Sequence, residues 1–246
     1  MKIAICISGQ ARFWEKGYEL LNKQLLSILP DYDIFISTWD QDNIKDMINL
    51  YQPVSYKVEN FIEDNIPYNQ EWKSFLNLHP NNSNSDPYTT LPMLYKIKDC
   101  FDLVKDYCDY HNESYDLVIR LRFDTFYPTP INLYQLFDVS NNNTLAINES
   151  SLPQEKGWFY DGFAFGGMEV MEVYSNLFNH LISQALLSNT WVIHKILGDY
   201  LQKHNILTTQ PDNIIGAYKI EKNWMYFLNN YSPSIQNLAW DTYRKI

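Results

Sequence analysis

Long apolar runs are missing from this chain of 246 residues. No stretch reaches the roughly 18 apolar residues that a bilayer-spanning helix needs. The apolar run at the start, Ile3 to Ile7, is short and ends in Ser8-Gly9-Gln10, so it lacks the basic, apolar and small-residue pattern of a secretory leader. These absences predict a soluble, cytoplasmic chain with no transmembrane segment. Cysteine is scarce too. The three present (Cys6, Cys100, Cys108) lie in apolar or helical surroundings without CxxC spacing, which predicts buried thiols rather than disulfides or zinc ligands. Positive charge is also in short supply: 19 Lys and Arg face 29 Asp and Glu, a formal net charge of −10. Gripping nucleic acid requires clustered cations that release counterions, so nucleic acid is excluded as a main partner. No Walker loop, no GxGxxG and no Ser-His-Asp order occurs, which leaves P-loop and covalent-hydrolase readings without support.

What is present is an alternation of strand and helix signals. Hydrophobic residues make up 46% of the chain, enough for the core of one α/β domain with a decorated C-terminal part. Lys2 to Gly9 reads as a strand buried on both faces, followed by a helix over 13–29 that Pro30 ends. Asp33 to Trp39 is a second strand, 42–50 a helix and Val54 to Val58 a third strand. From Asn60 to Pro87 the pattern dissolves into Asn, Ser, Pro and aromatic residues and reads as a loop able to act as a flap. Leu94, Ile97, Phe101, Val104 and Cys108 then mark a long helix over 92–111 leading into the strand Tyr115 to Asp124. Strands over 144–148 and 158–167 and helices over 168–187 and 191–204 follow. The tail holds a strand-like 214–220 and a Trp- and Tyr-rich end. This order predicts an α/β fold with a mostly parallel sheet.

Only four arginines occur, and Arg12, Arg120 and Arg122 fall in two segments that read as strand ends. Side chains alternate along a strand, so Arg120, Arg122 and Asp124 share one face. Such charges are costly to bury unless they pair with one another or meet a charged ligand. One outcome is a set of ion pairs with Asp116, Asp124 or other carboxylates that stiffens the sheet. The other is a diphosphate-and-metal site, since ligands of open α/β sheets bind beyond the carboxyl ends of the strands and Asp124 stands at such an end. There Asp124 is a hard oxygen ligand for Mg²⁺ or Mn²⁺ and the arginines neutralise phosphate. Ser8-Gly9-Gln10-Ala11-Arg12 ends the first strand, where Gly9 permits close backbone approach and the next helix offers its amides to an anion, although a plain turn would look the same.

Taken together, Ile5 to Arg12, Asp33 to Trp39 and Tyr115 to Asp124 resemble the GT-A-fold nucleotide-sugar glycosyltransferases of the bacterial surface-polysaccharide and large-DNA-virus type, over most of the first 170 residues. The resemblance implies a Rossmann-like sheet flanked by helices, with a nucleotide-binding half over 1–130 and an acceptor-side half over 131–246. It implies a nucleoside-diphosphate sugar as donor, a glycan hydroxyl as acceptor, Mn²⁺ or Mg²⁺ as cofactor and, for a viral chain, the host cytoplasm as location. Arg122-Phe123-Asp124 takes the place of the Asp-x-Asp motif, with Arg122 where the first acid stands and Asp124 as the metal ligand. Ser8, Gly9, Arg12, Arg120 and Arg122 line the nucleotide pocket. Trp39 packs near the base or is a core aromatic, and Lys96 reaches the nucleotide or lies on a solvated helix face. Asp161, before Gly162 on the aromatic strand, is the base that takes the acceptor proton if the reaction inverts, or else a turn aspartate. His194, beside Trp191 on a helix, is a lone histidine of a kind more often structural than a metal or acceptor contact. The rival functions are a sugar-nucleotide nucleotidyltransferase and a non-catalytic carbohydrate-binding protein on a degenerate transferase fold.

Overall fold

The fold is seen in a computed structural model that describes residues 1–79, 87–126, 133–140, 142–149, 155–210 and 218–219. A seven-stranded sheet organises it, in the order β3-β2-β1-β4-β7-β6-β8. Its strands are β1 (Ile3–Gly9), β2 (Tyr32–Trp39), β3 (Ser55–Glu59), β4 (Leu117–Leu121), β6 (Thr144–Glu149), β7 (Phe159–Gly166) and β8 (Leu207–Thr209). A separate two-stranded ladder joins β5 (Thr125–Phe126) to β9 (Tyr218–Lys219). Within the large sheet β7 runs antiparallel to both neighbours and every other pairing is parallel. The α/β class and the mostly parallel sheet are as the strand and helix alternation predicts.

Helices cover both faces, as the doubly apolar β1 requires. One face packs against α1 (Trp14–Gln24), α2 (Ile44–Tyr51) and α5 (Leu133–Ser140), the other against α3 (Asn69–Leu78), α4 (Thr90–His111), α6 (Met168–Ser188) and α7 (Ile193–Lys203). Ile3, Ile5, Ile7, Ile119 and Leu121 point into the first cluster, Ala4, Cys6, Phe35 and Val118 into the second. The predicted stripe of α4 is its buried face: Leu94, Ile97, Phe101, Val104 and Cys108 are all inside. Pro92 sits in its first turn, where a missing N–H breaks no helical hydrogen bond. Cys6, Cys100 and Cys108 are free and buried, as expected.

The expectation of an unstructured loop over 60–87 needs correcting. Asn69–Leu78 is helical and buries Trp72, Phe75 and Leu76 against the α4 side of the core. Trp72 and Phe75 stack with centroids 5.3 Å apart. The aromatic residues that looked like loop composition are thus a short amphipathic helix, while residues 80–86 lie outside the described set, as does most of the predicted 214–220 strand. The first helix also stops earlier than Pro30 suggests, giving way after Gln24 to a 3₁₀ turn over Leu26–Ile28. No helix among the described residues is long and apolar enough to cross a membrane.

Candidate functional site

Parallel register gathers polar residues on one face at the carboxyl ends of four strands. Ser8 of β1 pairs with Ser37 of β2, which pairs with Lys57 of β3, and Trp39 pairs with Glu59. On the other side of β1, Cys6 pairs with Arg120 of β4, so Ser8 and Arg120 share the face that carries α4, α6 and α7. The chain runs from β1 outward through β2 and β3, and β4 lies on the opposite side of β1. Strand order therefore reverses between β1 and β4, which is where open α/β sheets receive ligands.

The amino ends of the same strands are a useful contrast, because their polar groups satisfy one another. The Tyr115 hydroxyl donates to Asp33 Oδ2 at 2.7 Å, Lys2 Nζ lies 3.4 Å from the same oxygen, and the Lys2 amide donates to Asp116 Oδ2 at 2.7 Å. At the carboxyl ends of β1 and β4 two residues depart from this. Arg120 is 2% exposed, yet its Nε and Nη1 have no hydrogen-bond partner among the described residues, and the buried Ser8 Oγ has none either. The other buried side-chain atom in that condition, Gln184 Oε1 on α6, belongs to an amide whose nitrogen donates to Ser188. Unsatisfied charged donors are expensive inside a protein, and these stand where the strand order reverses.

Arg122 behaves differently. Its Nε donates to Asp124 Oδ1 at 2.7 Å and an Nη atom donates to Asp124 Oδ2 at 2.9 Å, a two-pronged pair with Asp124 buried. This is the ion-pair alternative, realised for one of the two arginines. It also decides how well Asp124 suits a divalent cation. Both carboxylate oxygens are already engaged, and a cation there would sit against Arg122. Among the described residues no group of three or more His, Cys, Asp or Glu is placed to hold a metal. The residues present do not fit the expected Mg²⁺ or Mn²⁺, and no step below runs through one.

The remaining candidates are dispersed. Gly9 turns the chain out of β1 with φ 109°, and nothing among the described residues lies within 4 Å of where a Cβ would stand. Arg12 is exposed, its Nε donating to Gln10 Oε1 at 2.8 Å, and it contacts none of the other candidates. Lys96 departs from the solvated-face alternative: it is fully buried, pairs with Glu59 and lies 3.6 Å from Asp99. Its ammonium also sits 4.1 Å from the Trp39 ring centroid. Trp39 is half-buried between Tyr95, stacked at 5.9 Å, and Phe61, edge-on at 5.1 Å. Ser37 donates to Asp99, which also accepts from Lys57 at 2.7 Å. Lys96 and Trp39 therefore come together, in a network that already uses the lysine's charge.

Asp161 reaches the arginines through a break in its own strand. From the Ile147·Ala164 pair to the Glu149·Phe159 pair, β6 advances two residues and β7 five, so three residues of β7 are extra. Strict alternation from the buried Phe163 and Phe165 would send Asp161 to the α1 side. Its partners lie on the other side: His194 Nε2 on α7 is 3.4 Å away, and Arg120 and Arg122 act on its charge. The bulge re-aims the side chain, as bulges beside functional sites do. Sequence reasoning passed over this pairing; its one signal was Gly162, a glycine inside a strand pattern.

Burial works against ionisation of Asp161, but the His194 contact and the charges of Arg120 and Arg122 outweigh it and hold the carboxyl well below the usual carboxylate range. Above it the buried Tyr174 hydroxyl donates to the Asp161 carbonyl at 3.4 Å. Burial pushes that phenol up to about 12, with Arg120 opposing and Asp161 adding. Because the folded state resists protonating Asp161 where the unfolded chain accepts a proton near pH 3.9, the contribution is fully present above that pH and is lost on acidification. Urea unfolding followed from pH 5 to pH 3 is expected to show a shallower loss of stability for Asp161→Asn than for the unmodified chain.

Comparison with known proteins adds a family. Residues 1–159 match the model of a family described as "Domain of unknown function (DUF7796)". No curated protein matches the sequence. Among solved structures the chain is similar to the apo form of mouse xyloside xylosyltransferase 1, with a TM-score of 0.46 and 12% identity over 86% of this chain and 84% of that one. The family match takes in both parallel strands that meet at the reversal, with Ser8, Arg120, Arg122 and Asp124 inside it and Asp161 and His194 beyond it, and on its extent the chain belongs to the DUF7796 family.

Proposed function

We propose that this protein is a glycosyltransferase of GT-A type that moves a sugar from a nucleoside-diphosphate donor to a hydroxyl acceptor. One observation carries the reading: Arg120 is buried at the β1/β4 reversal with two donor nitrogens that have no hydrogen-bond partner among the described residues. A diphosphate would satisfy both, and Ser8 Oγ beside them. In the reaction the acceptor oxygen bonds to the anomeric carbon while the bond from that carbon to the diphosphate breaks. The electron pair leaves on a phosphate oxygen, and Arg120 stabilises the charge that develops there. Among the described residues Gly9 leaves open space at the end of β1, and Trp39 stands over Lys96 toward β3. The resemblance of Ile5–Arg12, Asp33–Trp39 and Tyr115–Asp124 to the nucleotide-sugar enzymes supports the same reading.

Calorimetry with UDP, GDP and dTDP tests it. At least one is expected to bind, and its dissociation constant should differ by less than tenfold, about 1.4 kcal/mol, between EDTA and Mn²⁺, because Arg120 rather than a cation at Asp124 holds the diphosphate. No binding at millimolar concentration sinks the donor reading. Binding that appears only with Mn²⁺ returns Asp124 to the metal role.

A further inference from the structure

The acceptor side of the cleft holds a pair of side chains that the anion site leaves unused. His194 directs Nε2 toward Asp161 Oδ1 at 3.4 Å, and its ring meets Tyr160 edge-on with centroids 4.8 Å apart. Its side chain is 32% exposed against 14% for Asp161. Among the described residues the other ring nitrogen has no hydrogen-bond partner. The imidazole, not the carboxylate, is the member of the pair that faces solvent.

We propose that His194 takes the proton from the acceptor hydroxyl and that Asp161 is the positioning residue that orients its ring. This rests on the transferase reading above. A tautomer that keeps its proton on Nε2, 3.4 Å from Asp161, leaves the lone pair on Nδ1, where an incoming hydroxyl can meet it. The acceptor proton passes to Nδ1, the acceptor oxygen bonds to the anomeric carbon, and the diphosphate leaves with the electron pair of the broken bond toward Arg120. A single displacement of this kind inverts the anomeric centre. The groups around the imidazole serve the same end. Asp161 on β7 stabilises the imidazolium that forms, Arg120 on β4 and Arg122 just beyond that strand keep Asp161 charged, and Tyr174 from α6 donates to the Asp161 carbonyl.

The test uses the full chain with UDP-, GDP- and dTDP-sugars as donors, water as acceptor and nucleoside-diphosphate release as the signal, beside calorimetry of the three diphosphates. His194→Ala is expected to lose about 10²- to 10⁴-fold in turnover with diphosphate affinity unchanged, and added imidazole should restore part of the rate. His194→Gln, which keeps a donor for Asp161, should lose as much, separating proton transfer from packing. Asp161→Asn should lower kcat without raising KM for the donor, and Asp161→Glu should recover part of it. Wild-type turnover by His194→Ala overturns the assignment, as does restoration of Asp161→Ala by formate, which would make the carboxylate the base. If the unmodified chain binds diphosphate but turns over no donor, both the assignment and the catalytic reading fall to a non-catalytic binding protein. If it binds none, the transferase reading itself fails.

Discussion

Replacing Arg120 by Met is expected to weaken nucleoside-diphosphate binding by about 10²- to 10³-fold while leaving the melting temperature unchanged or higher. The two effects point in opposite directions because the arginine is expensive to the empty fold. Its Nε and Nη1 are buried without hydrogen-bond partners among the described residues, and each unsatisfied donor costs on the order of 1–3 kcal/mol. Met fills a similar volume without that cost. Asp161 loses one favourable neighbour in the variant but keeps His194 and Arg122. Bound diphosphate, by contrast, loses two charge-assisted hydrogen bonds of about 1.5–3 kcal/mol each. Calorimetry and thermal unfolding on one preparation decide between this and a structural arginine. If Arg120 serves mainly to neutralise Asp161, Arg120→Met will unfold several degrees earlier and any loss of binding will follow the loss of fold.

The second large effect is expected at Gly17, a residue remote in sequence from the site. A Cβ at Gly17 would stand 1.8 Å from the Phe123 carbonyl oxygen, a backbone atom immediately before Asp124, and 3.4 Å from the Tyr51 hydroxyl. That hydroxyl donates to the Trp14 carbonyl at 2.8 Å and is not free to withdraw. Alanine at a helix interior normally gains about 1 kcal/mol over glycine. Here the overlap with backbone wins, because either α1 or the turn carrying Arg122 and Asp124 must move. Gly17→Ala is expected to destabilise by about 1–3 kcal/mol, roughly 2–12 °C in melting temperature for a chain of this size. It should also weaken diphosphate binding, since the displaced turn follows directly on β4. A variant as stable as the unmodified chain, with unchanged affinity, would show that the approach of α1 to Phe123 relaxes at no cost.

Much of the fold was legible because it rests on local patterns. The apolar run of β1 could only be buried on both sides, the stripe Leu94, Ile97, Phe101, Val104 and Cys108 could only be one face of a helix, and Arg120 stood out as a charge in an apolar strand. Residues 69–78 escaped because Asn, Gln and aromatic composition suits a loop as well as a short helix, and only packing of Trp72 and Phe75 under α4 distinguishes the two.

The site divides along the same line. Sequence alone determined which residues were unusual (Ser8, Arg120, Arg122, Asp124, Asp161) and that the first four stand toward strand ends, because periodicity is a property of neighbouring residues. Tertiary structure alone decided their partners. It turned Arg122 onto Asp124 and left Arg120 unsatisfied, and it sank Lys96 beneath Trp39 with carboxylates from β3 and from its own helix. Through three extra residues in β7 it brought Asp161 across the sheet to His194, a pairing that depends on register between distant strands and on a helix 32 residues further along the chain. The charge of a residue is written in its side chain, but whether that charge is spent inside the fold or kept for a ligand depends on what folding brings within 3 Å of it.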